Sequence, residues 1–230
     1  MAKNKDIYVF ILITITLVML SVWSLTVGVV DIDFSDIKHI LFGGKSTDLS
    51  CSYIIEGRLN RTIMALLSGG ALSVTGLILQ VFFRNPLAGP GVLGISSGVT
   101  LGVAMVVLGG FALTGFAANF TLVLSGLFGA ISILFVLMVV SKYIRHSVTL
   151  LIVGLMLSYF TSAFVNALYH WANKEESRQF IVWGLGSFDG ISTPTLYWVL
   201  PFLLCCMIGI IFLIKPLNAY ALGEEYAKSL

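Results

Sequence analysis

The chain has 230 residues, of which 58% are hydrophobic and only 10% are charged, and its formal net charge is +2 at pH 7. Soluble globular domains are typically about 45–50% apolar and about 25% charged, so this composition excludes an ordinary soluble domain and predicts an integral membrane protein. The small net charge, without a basic cluster, also argues against a nucleic-acid partner.

Long uncharged stretches predict where the chain crosses the membrane. A helix needs about 20 apolar residues to cross a hydrocarbon core of about 30 Å. Residues 85–141 contain no charge and would form about 86 Å of helix, which is enough for two crossings with a turn at Gly109 and Gly110. We therefore predict an all-α, polytopic transmembrane helix bundle of six spans. They lie near residues 7–30, 62–83, 91–109, 116–141, 147–170 and 193–214.

The first span follows Lys3 and Lys5, as the apolar core of a signal peptide would. Its apolar run is longer than such a core and no small-residue cleavage site follows, so we interpret it as an uncleaved helix. With the N-terminus in the cytoplasm, seven cationic residues lie inside and six outside, a weak positive-inside bias that favours this orientation. Residues 1–230 are expected to form a single transmembrane domain.

Two motif matches lack the context that their chemistry needs. Gly89–Gly94 fits the dinucleotide pattern G-x-G-x-x-G, but a membrane span follows it rather than a βαβ unit, and no Walker A loop is present. Gly94–Gly98 matches G-x-S-x-G around Ser96, which leaves an intramembrane serine hydrolase as an alternative. Neither His146 nor His170 is expected near that serine to act as its base. The scattered histidines have no metal-ligand spacing, so we predict no metal, no cofactor and no catalytic residue.

Polar and small residues in the spans are candidates for function and packing. Ser158, Ser162 and Asn166 recur every fourth residue and share one face of the fifth span with Tyr169. An asparagine in lipid needs a hydrogen-bond partner, so this face is predicted to point inward. It could serve interhelical hydrogen bonding or line a pathway, and both interpretations stay open. Small residues every fourth position predict close helix packing at two ridges. These are Gly94, Gly98 and Gly102 in the third span, and Ala65, Gly69 and Ser73 in the second.

Arg58 and Arg61 lie three residues apart at the predicted outer start of the second span. Arginines at such a position commonly anchor a helix at the membrane interface. The alternative is that the two neighbouring cations face the carboxylates of another protein.

Several motifs, in order, resemble those of FecCD-type permeases, which serve ABC importers of siderophore iron, haem and cobalamin. The resemblance runs from about Arg58 to the last residue. The matching segments are Arg58-Leu-Asn-Arg61, Gly76 through Gln80, Phe83-Arg-Asn-Pro-Leu-Ala88, Pro90-Gly-Val-Leu-Gly94, Ser96-Ser-Gly98, Gly186-Ser-Phe188 with Trp198, Leu217-Asn-Ala219 and Ala221 through Leu230.

The resemblance implies a transport subunit of the bacterial inner (cytoplasmic) membrane that is not itself an enzyme and needs no cofactor. It implies three partners: a cytoplasmic ABC ATPase, an external substrate-binding protein, and a second permease copy or paralogue that forms a dimer around a central pathway. Arg58 and Arg61 would dock the binding protein. A coupling segment, residues 221–230, would contact the ATPase, and its residues are Gly223, Glu224, Glu225, Ala227 and Lys228.

Two departures from the family pattern bear on function. Asn60 stands where the family has proline, which is expected to loosen the start of the second span while keeping the arginine spacing. Family members have about ten helices, whereas six are predicted here, so a C-terminal repeat is expected to be missing. A fragment, a frameshifted gene or a split subunit would have this pattern. A truncated, non-transporting remnant is therefore a third hypothesis beside the permease and the hydrolase.

Overall fold

The computed structural model describes residues 2–28, 30, 49–111, 116–144, 146–188 and 191–223, and every regular element within them is a helix. The all-α prediction is therefore confirmed for this part of the chain. The helices are α1 (Ala2–Thr26), α2 (Leu49–Phe83), α3 (Ile95–Val107), α4 (Phe116–Ser141), α5 (Ser147–Trp171), α6 (Lys174–Gly184) and α7 (Thr193–Leu222).

Five of these helices, α1, α2, α4, α5 and α7, are long and apolar enough to cross a membrane. They fall in five of the six predicted spans. The predicted span at 91–109 contains α3, which has 13 residues and is about 20 Å long, shorter than a hydrocarbon core of about 30 Å. The helix starts late because Gly94 precedes it with a left-handed backbone conformation, at φ 78°. Six full-length spans are therefore not found among the described residues.

Helices α2 and α7 are longer than the spans predicted for them. Helix α2 has 35 residues and begins at Leu49 instead of near residue 62, so Glu56, Arg58 and Arg61 lie inside it. Helix α7 continues beyond residue 214 to Leu222. The prediction placed the ends at charged residues, but a charge disfavours contact with lipid rather than the helical conformation.

The chain forms two compact units, and the first comprises residues 1–69 with 188–201. Hydrogen bonds between helices hold it together. The hydroxyls of Ser24 in α1 and Thr62 in α2 lie 2.7 Å apart. The Asn60 amide of α2 donates to the Thr193 hydroxyl at the start of α7, at 2.9 Å. This unit contains Arg58 and Arg61.

The second unit comprises residues 70–187 with 202–230, and within it α3 packs closely on α4. Gly98 and Gly102 face Gly129 and Ser125 of α4. A Cβ atom on Gly102 would lie 2.0 Å from the Ser125 carbonyl oxygen, and one on Gly98 would lie 2.6 Å from the Gly129 oxygen. The close packing predicted for these two glycines is confirmed. No described atom lies within 4 Å of a Cβ placed on Gly69, so the ridge predicted in the second span shows no such approach there.

Helix α3 also packs on α5. The turn before α3 places buried Leu93 against Gly154, where an added Cβ would approach the Leu93 backbone to 2.8 Å. Two apolar clusters then fix α3 along its length. One surrounds Leu93 and Leu151, and the other contains Ala104, Leu108 and Val165. This packing sets the relative position of the polar residues on α3 and α5.

Candidate functional site

Arg58 lies within α2 and is buried, with only 5% of its surface exposed. Its guanidinium donates hydrogen bonds to three backbone carbonyl oxygens, two in the last turn of α1 and one just after it. The distances are 2.9 Å to Leu25, 3.1 Å to Thr26 and 2.6 Å to Val30. The last carbonyls of a helix have no N–H donor within the helix, so Arg58 supplies donors that α1 itself cannot.

Arg61 lies one turn further along α2 and is partly exposed. It borders an open groove of about 690 Å³ that runs between α1 and α2 and is otherwise lined mainly by aliphatic side chains, among them Leu17 and Leu66. The two arginines, predicted to act together, therefore have different surroundings. Arg58 is enclosed by backbone acceptors, whereas Arg61 is accessible from this groove.

Asn60, which lies between these arginines in the sequence, is buried. Its amide donates a hydrogen bond to the Thr193 hydroxyl, which in turn donates to the Glu56 carboxylate. The expectation that Asn60 loosens the start of a helix is wrong. Residue 60 lies in the interior of α2, because the helix begins at Leu49, and its amide joins α2 to the first residue of α7.

A polar groove of about 270 Å³ lies between α3 and α5. Its hydrogen-bonding side chains are Ser96, Ser97 and Thr100 from α3, and Ser162 and Asn166 from α5. We call this set the α3–α5 groove. Two of the three predicted pathway residues, Ser162 and Asn166, line it, and both are exposed.

Ser158, the third predicted pathway residue, does not line this groove. It is half-buried and donates to the Gly154 carbonyl of its own helix at 3.0 Å, as serines in apolar helices commonly do. By contrast, the side chains of Ser162 and Asn166 make no hydrogen bond to any residue that the structure describes. Their donors and acceptors are therefore available to a ligand or to water. The α3 contribution was missed from the sequence, where Ser96 was considered only as part of G-x-S-x-G and of the family-like segment Ser96-Ser-Gly98.

The same groove tests the hydrolase alternative. A serine nucleophile needs a base within hydrogen-bond reach. None of the described residues lining the groove around Ser96 is His, Asp, Glu or Lys. His146 precedes α5 and His170 lies in its last turn, outside this lining. The geometry gives no support to a serine hydrolase. Across the described ranges, no group of three His, Cys, Asp or Glu side chains could hold a metal ion.

The end of α7, where the predicted coupling segment starts, is bound to the end of α2. Arg84 follows α2 and donates to the Tyr220 carbonyl at 3.1 Å. Its guanidinium carbon also lies 5.2 Å from the centre of the Tyr220 ring. The Phe82 ring stacks on the Tyr220 ring, with 5.6 Å between their centres. Gly223 ends the described part with φ 146°. The other predicted coupling residues, Glu224, Glu225, Ala227 and Lys228, lie outside the described residues.

Comparisons with known proteins agree with one another. The model of the FecCD transport family matches residues 15–230. The vitamin B12 import system permease protein BtuC of Klebsiella pneumoniae is 37% identical over 179 residues, which are 77% of this chain and 53% of that protein. The hemin transport system permease protein HmuU of Yersinia pestis is 30% identical over 215 residues, 93% of this chain and 63% of that protein.

A solved structure shows the same likeness in three dimensions. It is of an ABC transporter assigned to the metal-chelate type, in an inward-facing conformation, and it matches with a TM-score of 0.76 at 28% sequence identity. The match covers 96% of this chain and 67% of that one. The chain thus spans between about half and two thirds of the length of these relatives.

Proposed function

The chain belongs to the FecCD transport family, and on that basis we propose that it is the permease subunit of an ABC importer for iron-siderophore, haem or cobalamin. The observation that carries the proposal is the α3–α5 groove. It is a polar strip in an otherwise apolar helical protein, with the side chains of Ser162 and Asn166 free of hydrogen bonds to described residues. We place the substrate pathway along it.

The groove suits passage rather than catalysis. Hydroxyl and amide groups offer both donors and acceptors and can exchange bonds with the carbonyl, amide and hydroxyl groups of a chelate. The described lining residues include no charged side chain, so no ion pair would hold a substrate tightly there. The work of transport then comes from a separate cytoplasmic ATPase, since the sequence contains no Walker A motif.

We further propose that residues 91–109 make a sixth crossing, with α3 as its helical part, and that both chain ends lie in the cytoplasm. An irregular backbone at membrane depth is tolerated where protein covers it. In the turn before α3, Ala88 and Leu93 are covered in this way, since each is only 3% exposed. We also propose that the chain is a single permease domain of the bacterial inner membrane, on the basis of its family.

The partners are part of the same proposal. Arg58 and Arg61 dock an external binding protein, as the family pattern implies. Arg61 is the more accessible of the two. Residues 221–230 couple to the ATPase, and Arg84 fixes the helix end from which they emerge. A second copy or a paralogue completes the dimer.

Transport assays with groove variants test this function. The whole chain would be co-expressed with its ATPase and binding protein, and uptake of cobalamin, haemin and a ferric siderophore measured separately. Asn166→Leu should lower uptake of the transported compound at least about tenfold, because a desolvated polar group on the substrate loses a hydrogen bond there. Ser132→Leu is the matched control, since that serine lies exposed on α4 and bonds only its own helix. If the wild type takes up none of the three compounds, the non-transporting remnant is favoured. Normal uptake by Asn166→Leu would exclude a pathway along this groove.

A further inference from the structure

We propose that a second groove, between the end of α5 and α6, binds an anionic metal chelate at the outer end of the substrate pathway. Its volume is about 390 Å³, and its polar side chains are those of Tyr169, Lys174, Ser177 and Arg178. We call it the α5–α6 groove. The inference rests on the proposed function, because it names the class of substrate: a chelate whose net negative charge lies on carboxylate or catecholate oxygens.

Helix α6 is held in place by the side that faces away from this groove. Phe180 packs on the buried cluster that joins α3 to α5. The Glu176 carboxylate accepts a hydrogen bond from the backbone N–H of Asn173 at 2.9 Å, and the two residues form a capping box at the start of the helix. With 3.6 residues per turn, Lys174 and Arg178 lie on the opposite side of α6. The packing therefore fixes both cations at the groove.

These two cations lack partners among the described residues. Lys174 and Arg178 are exposed, and neither side chain has a hydrogen bond or ion pair to a residue that the structure describes. Like charges four residues apart destabilise a helix, and the helix dipole disfavours a cation in the first turn. The acidic residues of α6 are engaged elsewhere, since Glu175 accepts a hydrogen bond from Gln179 and Glu176 caps the helix. An anion in the groove would relieve both costs.

The donors in the groove suit anionic oxygens. The guanidinium of Arg178 can bind a carboxylate through two parallel N–H bonds, and the ammonium of Lys174 adds a second positive charge. The hydroxyls of Ser177 and Tyr169 can also donate, and neither is bonded to a described residue. No acidic side chain is among the described lining residues. A neutral chelate would gain much less from these groups, so the groove selects by charge.

The α5–α6 groove adjoins the α3–α5 groove along one side of α5. Asn166 lines the α3–α5 groove and Tyr169 lines the α5–α6 groove. Residues three apart are neighbours on a helix, and these two are separated by about 4.5 Å along its axis. In the proposed topology, the end of α5 lies at the outer face, where substrate arrives. The cations therefore attract the chelate at the entrance, and the uncharged groove beyond them does not retain it.

Two ferric siderophores of different charge test the proposal on the permease alone. Three catecholates around Fe(III) give a trianionic chelate, and three hydroxamates give a neutral one. The dissociation constant of each, labelled with radioactive iron, would be measured by equilibrium dialysis against the full chain in phosphatidylcholine nanodiscs. Lys174→Gln with Arg178→Gln should weaken binding of the tricatecholate at least about tenfold, because two charge-assisted contacts are lost. Binding of the trihydroxamate should not change.

Lys142→Gln with Lys215→Gln is the matched control. It removes the same charge from exposed residues that do not line the groove, and it should leave the affinity for the tricatecholate unchanged. If the control weakens binding as much as the groove variant does, the effect comes from the net charge of the chain and the inference is overturned. An equal effect of the groove variant on both chelates would overturn it as well, and so would no effect on the tricatecholate.

Chemical protection locates the bound anion. Phenylglyoxal modifies arginine, and the rate at each arginine would be measured by mass spectrometry. At about nine times its dissociation constant, the tricatecholate should slow modification of Arg178 about tenfold, since only the unoccupied site reacts. Exposed Arg84, outside the groove, should react at an unchanged rate. If phosphatidylglycerol in the nanodiscs protects Arg178 without any chelate, the groove binds a lipid headgroup and the inference is wrong.

These measurements are independent of uptake. A chain that transports none of the tested compounds can still prefer the anionic chelate in dialysis, so loss of the proposed function would not produce the same results. A chain that transports a chelate but binds the trianionic and neutral forms equally would contradict this inference alone.

Discussion

Replacing Gly102 with alanine should separate α3 from α4. The new Cβ would lie 2.0 Å from the Ser125 carbonyl oxygen and 2.8 Å from its carbon, whereas ordinary contacts begin at 3.4 Å. Both obstructing atoms are backbone, so no side-chain rotation relieves the clash and the helices must move apart. Helix association in lipid depends on such packing, since no hydrophobic force drives it.

The expected cost of Gly102→Ala is about 1–3 kcal/mol, the usual range for overpacking. For a chain of this size that is a fall in thermal midpoint of about 2–12 °C. The assay is thermal unfolding of the purified chain in detergent, followed by thiol exposure or light scattering.

Gly209→Ala in α7 is the matched control for this prediction. It also replaces a glycine inside an apolar helix, but no described atom lies within 4 Å of its Cβ. It should be neutral or stabilise by about 0.4–1 kcal/mol, since alanine restricts the unfolded chain more than glycine does. A thermal midpoint for Gly102→Ala equal to that of Gly209→Ala would refute the inferred α3–α4 contact.

Three further changes probe other contacts. Arg84→Gln removes a hydrogen bond to the Tyr220 carbonyl and a cation–π contact with its ring, so a spin label at Leu222 should become more mobile. An unchanged spectrum would show that Arg84 does not hold the end of α7. Asn60→Leu leaves the Thr193 hydroxyl without its donor and should lower the free energy of unfolding by about 1–2 kcal/mol, as measured by thermal unfolding. An unchanged free energy of unfolding would contradict the role of this hydrogen bond. Arg61→Gln should slow association with the binding protein at low salt and reduce its salt dependence in surface plasmon resonance, and an unchanged salt dependence would leave this arginine as a membrane anchor.

The sequence predicts the spanning helices well because lipid exposure restricts composition so strongly. Uncharged stretches located α1, α4 and α5 closely, and small residues four apart located the contact at Gly98 and Gly102. The start of α2 was misplaced because charged residues end a stretch that can face lipid without ending a helix. The shortness of α3 depends on the turn at Gly94, which hydropathy does not report.

The arginine environments could not be predicted for a different reason. The acceptors of Arg58 are backbone carbonyls about 30 residues away, and a backbone acceptor leaves no mark in the sequence. Asn60 likewise bonds Thr193 in a distant helix. The α3–α5 groove was half predicted: the period of four found Ser162 and Asn166, but only the packing of the two helices shows which α3 residues face them.

The most direct test of the central claim is water and substrate access to the α3–α5 groove. Asn166→Cys would be introduced into a chain lacking native cysteines, and the permease complex in nanodiscs treated with a membrane-impermeant thiol reagent. The groove account predicts that the cysteine reacts, that Ser132→Cys on α4 does not, and that one of the three chelates slows the reaction. A cysteine at 166 that stays unreactive, or that reacts at the same rate with each chelate present, would contradict the assignment of the pathway.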